Sequence, residues 1–273
     1  MPELPEVETI CSAIRPDLVN RNICRIEVFC KKLRYPINIQ HQKKGLAEII
    51  AIRRRAKYIL IELDNKNVIL VHLGMTGSLR IESPWEKRKH DHVLFWLDNS
   101  MTLVYNDSRR FGQIELHPIS TRGAFPQLLH HLAPEPFSDE FDIDWMVKVC
   151  KGRAKPIKNT LMDNTLVTGV GNIYASETLF LSKIHPERPS FSLSRQEIKI
   201  LHKSIIVILL NAIQAGGSSI INYRHPDGSE GLFTRELRVY GKKGDTCSDC
   251  KKGIITQTKM AGRSTFFCPV CQK

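Results

Sequence analysis

The chain has 273 residues, of which 42% are hydrophobic and 25% are charged, a composition typical of a globular protein. No apolar run approaches the roughly 20 residues of a membrane span, and the acidic, proline-bearing N-terminus does not resemble a secretory signal, so we expect a cytoplasmic protein without a membrane partner. Forty Lys and Arg residues against 28 Asp and Glu give a net charge of +12, which favours a polyanionic partner as much as a solvated basic surface.

The first ten residues, MPELPEVETI, open a predicted helix. Pro5 suits the first helical position, and Glu6 and Glu8 suit the positive end of the helix dipole. Apolar residues then recur on one face, and we expect Pro16 to stop the helix.

The next part of the chain, residues 22–117, is dominated by short β segments separated by turn residues. Many short strands without helices between them indicate a sandwich or a barrel. The predicted strands cover residues 25–29, 58–63, 68–73, 92–97 and 101–105. Residues 133–142 are rich in proline and acid and are typical of a linker.

The chain then becomes helical, and its strongest helical pattern covers residues 195–215. Ser194 and Glu197 form a predicted capping box at the start, and two glycines follow the end. Residues 221–233 are polar and rich in glycine and proline, so we expect a mobile loop there.

A Gly-x-Gly segment at residues 169–171 lies between two predicted helices, with Asn172 at the start of the second. It is not a dinucleotide-binding motif, because a helix and not a strand precedes it. Backbone N–H groups at a helix N-terminus bind phosphate well. A helical hairpin made only for packing explains the glycines equally well.

The C-terminal tail carries two C-x-x-C pairs separated by 17 residues. This spacing predicts two knuckles around one structural Zn²⁺ ion, with no open position for catalysis. The predicted ligands are Cys247, Cys250, Cys268 and Cys271. Between the pairs we expect a hairpin with Ala261 and Gly262 near its tip. Arg263 follows the turn, where it is either a phosphate ligand or a solvated side chain.

Together, these segments resemble the formamidopyrimidine-DNA glycosylase family of bacterial base-excision repair enzymes. The matching segments are PELPEVET, RRAKY, HLGMTG, KHDHV, DSRRFG, LMDNTLVTGVGNIYASETLF, IHPERP, ELRVYGKKGDTCSDC and CPVCQK. The resemblance runs from end to end and implies an α+β multidomain protein. It implies an N-terminal β-sandwich with an N-terminal helix, a helical domain with a helix–two-turn–helix unit, and a β-hairpin zinc finger.

The resemblance also implies domain boundaries. We expect a catalytic sandwich over residues 1–132, a linker over 133–150, a DNA-binding domain over 151–236 and a zinc finger over 237–273. A lesion-recognition loop is expected over residues 217–233.

The implied function is that of a bifunctional DNA glycosylase and AP lyase. Such an enzyme removes 8-oxoguanine and formamidopyrimidines from double-stranded DNA and cleaves the strand by β,δ-elimination, acting as a monomer bound to the nucleoid. Endonuclease VIII, which prefers oxidised pyrimidines, is the nearest alternative, although its typical Pro-Glu-Gly-Pro start differs from the Pro-Glu-Leu-Pro found here. A nucleic-acid-binding zinc protein without enzymatic activity is the second alternative.

The expected nucleophile is Pro2, once Met1 has been removed. An α-amino group titrates near pH 8, so more of it is neutral at pH 7 than of an ordinary lysine. Its attack on C1′ of the sugar gives an iminium ion, which explains both base loss and strand cleavage. The resemblance implies that Glu3 is the general acid and base, that Glu6 supports it, and that Lys57 lies near the active site.

The resemblance implies two further groups of residues. Met75, Arg109 and Phe111 would fill the space left by the everted base, although core packing is the ordinary role of Met and Phe. The implied DNA backbone contacts are Lys57, His72, Asn172, Tyr240 and Arg263, and His92 is a further implied DNA-binding residue.

Overall fold

The computed structural model describes residues 1–39, 47–119, 126–218 and 233–273. The predicted lesion-recognition loop over residues 217–233 therefore lies outside the described residues except at its ends. The chain divides into two compact units. The first contains residues 1–130 and 215–232, and the second contains residues 131–214 and 233–273.

The first unit is a β-sandwich preceded by a helix. The helix is α1 (Leu4–Leu18). The strands are β1 (Asn22–Val28), β2 (Ala47–Arg55), β3 (Tyr58–Leu63), β4 (Asn67–His72), β5 (Gly77–Glu82), β6 (Asp91–Leu97), β7 (Thr102–Asp107) and β8 (Gln113–Pro118). All of the strand pairs are antiparallel, in the order β5-β7-β6-β1-β2-β3-β4-β8.

The weakest pairing in this sheet lies between β1 and β2, where only Asn22↔Glu48 and Ile23↔Ala47 are in register. Such a short ladder lets the β5-β7-β6-β1 half of the sheet fold over the β2-β3-β4-β8 half. Their inner faces form one core, in which Ile59 and Ile61 of β3 belong to the same buried cluster as Phe95 of β6. The β-sandwich prediction is confirmed.

Helix α1 does not stop at Pro16, as the sequence predicted, but continues to Leu18. A proline this close to the C-terminal end destabilises the helix only slightly, since few residues after it belong to the backbone hydrogen-bond ladder. The N–H of Val19 still donates to the carbonyl of Arg15 at 3.1 Å. Leu18 is fully buried, so the final turn is stabilised by packing.

The second unit contains four helices and a hairpin. These are α2 (Ile143–Cys150), α3 (Ile157–Leu161), α4 (Asn172–Leu181), α5 (Arg195–Gln214), β9 (Thr256–Met260) and β10 (Arg263–Phe267). Helix α4 is buried along nearly its whole length and contacts both α5 and β10. The capping box predicted for α5 is present, since the backbone N–H of Ser194 donates to Glu197 Oε2 at 2.8 Å. In the described part of the chain, every helix is too short or too polar to cross a bilayer.

Candidate active site and nucleic-acid interface

The start of α1 brings two carboxylates together in a buried setting. Glu3 and Glu6 are each only 2% exposed, and Pro2 beside them is also buried. The backbone N–H of Glu3 donates to Glu6 Oε2 at 2.8 Å, so Glu6 caps the helix N-terminus. Its position in the first turn places its charge at the positive end of the helix dipole.

The second oxygen of Glu6 binds a distant segment of the same unit. Both the backbone N–H and the hydroxyl of Ser218 donate to Glu6 Oε1 at 2.8 Å. Gly217 allows this approach, because a Cβ at that position would lie 3.2 Å from Glu6 Oε1 and its φ is +81°. Glu6 therefore ties the N-terminus of α1 to the chain that follows α5.

Lys57 and His72 lie together at one end of β3 and β4. Lys57 is buried, and His72 pairs in register with Tyr58, with 4.8 Å between the ring centroids. Burial, together with the charges of Lys57 and Arg34, lowers the pKa of His72 to about 4. The N–H of Gly74 donates to His72 Nδ1 at 3.0 Å, so the neutral ring carries its proton on Nε2. His72 can therefore donate a hydrogen bond without carrying a charge.

The three predicted space-filling residues lie on two adjoining loops, residues 73–76 and 108–112. Met75 is 38% exposed and Phe111 is 46% exposed, so neither belongs to the core. The Arg109 guanidinium lies 4.7 Å from the Phe111 ring centroid. A Cβ at Gly74 would lie 2.4 Å from the backbone carbon of Phe111, which shows that the two loop backbones are in contact.

The side chain of Asp107 connects these two loops by hydrogen bonds. This fully buried carboxylate accepts at Oδ1 from the Thr76 hydroxyl at 2.5 Å and from the N–H of Arg109 at 3.2 Å. Its Oδ2 accepts from the N–H of Gly112 at 2.8 Å and from the Tyr105 hydroxyl at 3.2 Å. Asp107 was missed by the sequence analysis. A carboxylate that ends an apolar strand before a glycine-containing loop could have indicated a residue that anchors that loop.

His92 occupies a different setting from the other predicted DNA contacts. Its side chain is buried, and Nε2 lies 2.8 Å from the carbonyl oxygen of Asp107. Burial lowers the pKa of this imidazole. Because Nε2 of His92 is engaged in this contact, the geometry favours a role for His92 in supporting the 108–112 loop.

In the second unit, a buried lysine connects α4 with the C-terminal hairpin. Lys158 is fully buried, and its Nζ donates to Asn172 Oδ1 and to the Thr265 hydroxyl, both at 2.6 Å, and to the Ser264 carbonyl at 3.2 Å. Asn172 also donates to the Ser264 carbonyl at 2.9 Å. Arg263, which is exposed, directly precedes this contact. Lys158 was missed because a single lysine in a sequence is ordinarily solvated.

Glu177 of α4 is a second buried anchor that sequence reasoning missed. Its carboxylate accepts from the backbone N–H groups of Arg238, Val239 and Tyr240 at 2.9, 3.0 and 2.8 Å. Burial raises the pKa of Glu177 against the opposing effect of these donors. The Tyr240 hydroxyl lies 3.5 Å from Asn172 Nδ2, so this anchor brings two predicted phosphate ligands together.

The four C-terminal cysteines meet at one point. Their sulfur atoms all lie within 4.8 Å of one another, with Cys247 and Cys271 separated by 3.7 Å and Cys250 and Cys268 by 3.8 Å. The hairpin turn falls at Ala261 and Gly262, as the sequence predicted. This cluster could hold one metal ion.

The chain matches known proteins over its whole length. Residues 1–114 match the model of the formamidopyrimidine-DNA glycosylase N-terminal domain, and residues 132–223 match that of its H2TH domain. A formamidopyrimidine-DNA glycosylase of Klebsiella pneumoniae is 45% identical over 282 residues, covering 100% of both chains. That of Rickettsia massiliae is 41% identical, covering 100% of this chain and 97% of the other.

Solved structures agree with these matches. A mutant FPG protein of Lactococcus lactis in complex with a Fapy-dG containing DNA has a TM-score of 0.90 at 38% identity, covering 100% of both chains. The MutM (FPG) protein from Thermus thermophilus has a TM-score of 0.89 at 35% identity, covering 99% of this chain and 98% of the other. Another Lactococcus lactis complex contains an abasic site in its DNA.

The β-sandwich with its capped N-terminal helix, the H2TH unit and the four-cysteine hairpin define a DNA glycosylase. The chain belongs to the formamidopyrimidine-DNA glycosylase family. Enzymes of this family combine glycosylase and AP lyase activity, so the predicted family and enzyme class are confirmed. The two alternatives, an endonuclease VIII-like enzyme and a binding protein without activity, are not favoured.

Proposed function

We propose that this enzyme excises 8-oxoguanine and formamidopyrimidines from double-stranded DNA and then cleaves the strand at the abasic site. The observation that carries the proposal is the buried N-terminus of α1, where Pro2 adjoins the carboxylates of Glu3 and Glu6. The relatives crystallised with Fapy-dG and abasic-site DNA support the same substrates.

The reaction begins at the nitrogen of Pro2 after removal of Met1. The amine lone pair forms a bond to C1′ of the sugar, the glycosidic electron pair leaves with the base, and the base takes up the proton that the Pro2 nitrogen loses. Glu3, as a carboxylic acid, donates a proton to the ring oxygen, so that the sugar opens and the Pro2 adduct becomes an iminium ion. The iminium acidifies the C2′ proton, whose loss expels the 3′ phosphate, and a second elimination expels the 5′ phosphate.

Glu6 acts in this scheme by positioning the reacting residues. It fixes the backbone of Glu3 through one oxygen and Ser218 through the other. Glu6 is therefore fixed at both ends, and we assign proton transfer to Glu3 because it directly follows Pro2 in the chain.

Eversion of the damaged nucleotide depends on the two loops held by Asp107. The exposed Met75 and Phe111 side chains enter the stack, and Arg109 binds the orphaned base on the opposite strand. Unstacking costs a few kcal/mol, which these contacts offset. His92 supports the 108–112 loop through the Asp107 carbonyl.

The DNA backbone is bound by two groups of residues. In the first unit, Lys57 supplies a charge and His72 donates a neutral hydrogen bond from Nε2. In the second unit, the N-terminus of α4 carries Asn172 close to the Tyr240 hydroxyl, and Arg263 extends from the hairpin. Contacts of this kind orient the duplex without reading its sequence.

One structural zinc ion fits the four-cysteine cluster. Zinc–sulfur bonds of about 2.3 Å in a tetrahedron give sulfur–sulfur distances of about 3.8 Å, close to the 3.7 and 3.8 Å found here. Bound there, zinc would crosslink the two knuckles and rigidify the hairpin that carries Arg263.

The functional division follows the boundaries expected from the sequence. We assign catalysis to residues 1–132, DNA binding to 151–236 with lesion recognition at 217–233, the linker to 133–150 and the finger to 237–273. We place the enzyme, as a monomer, with DNA in the bacterial cytoplasm. Sedimentation of the free protein as a dimer would contradict the monomer.

Borohydride trapping tests the proposed chemistry. A duplex with 8-oxoguanine opposite cytosine should give a covalent complex with the wild-type enzyme, and Pro2→Gly should nearly abolish it. Glu3→Gln should lose base excision while retaining DNA binding. A duplex that contains an oxidised pyrimidine should be tested in parallel, since the Lactococcus lactis FPG protein was also crystallised with such DNA.

Two results would contradict the proposal. The first is a fully active enzyme that still carries Met1 by mass spectrometry, since an acylated Pro2 nitrogen cannot attack. The second is normal excision by the Glu3→Gln variant, which would remove Glu3 from the proton transfer.

A further inference from the structure

A cluster of aromatic rings and cations lies on the surface of the first unit, and the functional assignments above do not use its side chains. The Phe29 and Trp85 rings are stacked with their centroids 5.8 Å apart, and Trp96 meets Trp85 edge-on at 5.9 Å. Lys87 Nζ lies 5.3 Å from the Phe29 centroid, and Arg25 Cζ lies 4.9 Å from that of Trp96. We call these five residues the aromatic surface.

Among the rings of the aromatic surface, Phe29 is 44% exposed, and Trp85 and Trp96 are half-buried. Exposed aromatic clusters of this kind commonly mark a binding site. The Trp85 ring is also held in place, because its indole N–H donates to Asp91 Oδ2 at 3.2 Å. Asp91 is in turn fixed by the Arg80 guanidinium at 2.8 and 2.7 Å, so the platform is preorganised.

The charges at this surface favour an anionic ligand. The cationic side chains reach into solvent, with Arg25 59% and Arg88 63% exposed, and each also pairs with a carboxylate, Arg25 with Glu27 and Arg88 with Glu82. The carboxylates lie deeper, with Glu82 13% and Asp91 0% exposed and Glu27 29% exposed. Residues 86–89, which include Lys87 and Arg88, carry one exposed carboxylate and three exposed cations.

We infer that the aromatic surface binds an unpaired DNA strand, by stacking bases on its rings and pairing phosphates with its cations. Aromatic platforms bordered by cations recognise single strands, whereas the bases of a duplex are not available for stacking. The chain between Trp85 and Trp96 also contacts the strand end that precedes the proposed wedge, because the carbonyl of His90 accepts from the N–H of Asp107 at 3.1 Å. The inference rests on the proposed function for its choice of nucleic acid as the ligand.

Tryptophan fluorescence provides the test, because the chain contains three tryptophans and two of them belong to this surface. In a Trp145→Phe background, a short oligothymidylate should quench the remaining emission to saturation. Quenching should persist when the enzyme is already saturated with a blunt duplex carrying an abasic-site analogue. The binding constant is measured separately by anisotropy of the labelled oligonucleotide.

Matched variants assign the binding to the platform. Trp85→Leu should weaken oligothymidylate binding about tenfold, the loss expected when one stacking partner is removed. Trp85→Phe keeps a ring and should retain most of the affinity. Phe137→Leu, at a residue in the second unit with similar exposure (40%), is the control and should change nothing.

Excision from a blunt 8-oxoguanine duplex separates this inference from the proposed function. Trp85→Leu should leave that rate unchanged.

Two results for Trp85→Leu would overturn the inference. The first is an unaltered affinity for oligothymidylate. The second is an equal loss of oligothymidylate binding and of excision from the duplex, which would make the aromatic surface part of the main DNA interface. A dimer dissolved by Trp85→Leu, without strand binding, would identify the surface as a self-contact and overturn it as well. An inactive wild-type enzyme that still binds the oligonucleotide through Trp85 would count against the proposed function alone.

Discussion

At the scale of single residues, His72 shows how burial selects a protonation state. Its ring accepts from the N–H of Gly74 and stays neutral, since its pKa is lowered to about 4. In the unfolded chain the same imidazole titrates near pH 6.5. Protonation therefore favours the unfolded state, and the stability contributed by neutral His72 is lost as the pH falls from about 6.5 to 4.

Replacing this histidine should flatten the acid limb of the stability profile. The free energy of unfolding, measured by urea titration between pH 4 and 7, should fall less steeply in His72→Gln than in the wild type. The difference in slope corresponds to about one proton. Equal slopes in the two proteins would show that His72 is protonated in the folded enzyme as readily as in the unfolded chain.

Lys158 contacts one of the second unit's proposed phosphate ligands directly, since its Nζ donates to Asn172 Oδ1. Lys158→Met keeps the aliphatic volume but leaves acceptors of Asn172, Ser264 and Thr265 without this donor. Each unsatisfied buried group costs about 1–3 kcal/mol, so we expect a large loss of stability together with weaker DNA binding. Thermal unfolding and anisotropy measure the two effects.

The neighbouring Lys155 offers a matched control for that substitution. Its ammonium contacts Asp163 at 3.1 Å, but the side chain is 40% exposed. Exposed ion pairs contribute little, so Lys155→Met should change the unfolding temperature only slightly. If the two variants were equally stable, the buried network around Lys158 would not be important for the fold.

At the scale of elements, the two loops that carry the proposed wedge residues depend on Gly112. A Cβ at this position would lie 1.7 Å from the Tyr105 hydroxyl and 2.7 Å from the carbonyl oxygen of His72. Gly112→Ala must therefore displace the 108–112 loop and with it Arg109 and Phe111. We expect excision of 8-oxoguanine to fall about tenfold or more, because small misplacements of positioning groups are costly.

A double variant separates steric displacement from general unfolding. Tyr105→Phe removes the nearest clashing atom, while the contact with the His72 carbonyl remains. The combination with Gly112→Ala should therefore recover part of the lost single-turnover rate. No recovery, with a wild-type circular dichroism spectrum, would show that the Tyr105 contact does not determine the loop position.

The same scale shows which elements the sequence can predict. Strand β3 falls on the predicted residues 58–63, and α5 begins directly after its capping box, because local alternation and capping chemistry determine both. Strand β2 was missed because its last three residues, 53–55, are all arginines and hide the alternation. Pro16 misled the prediction because tertiary packing of Leu18 outweighs a local break.

At the scale of the whole molecule, each unit brings together candidate residues that are remote in sequence. Glu6 and Ser218 are 212 positions apart, and Lys158 and Thr265 are 107 positions apart. Local patterns predict which residues carry suitable chemistry, as they did for the two C-x-x-C pairs. The partners that orient those residues come from the tertiary fold, which is why Asp107, Lys158 and Glu177 were found only in the structure.

The basic charge of the whole chain also has a predictable effect on DNA binding. Of the net charge of +12, residues 235–273 carry +6, since they contain nine basic and three acidic residues. Removal of zinc by a chelator should loosen the hairpin and weaken binding to any DNA sequence, because phosphate contacts are not sequence-specific. Anisotropy titrations with lesion-containing and undamaged duplexes measure this loss, and added zinc should reverse it.

Salt dependence then identifies how much of the loss comes from Arg263. Each phosphate contact that is lost lowers the slope of log K against log salt by about 0.9. Arg263→Ala should reduce the slope by about one contact, and chelation by at least as much, since it displaces the same side chain together with its neighbours in the finger. An unchanged slope after chelation, with the thiols confirmed to be metal-free, would mean that the finger does not contact the phosphates and that the rest of the chain provides the electrostatic attraction.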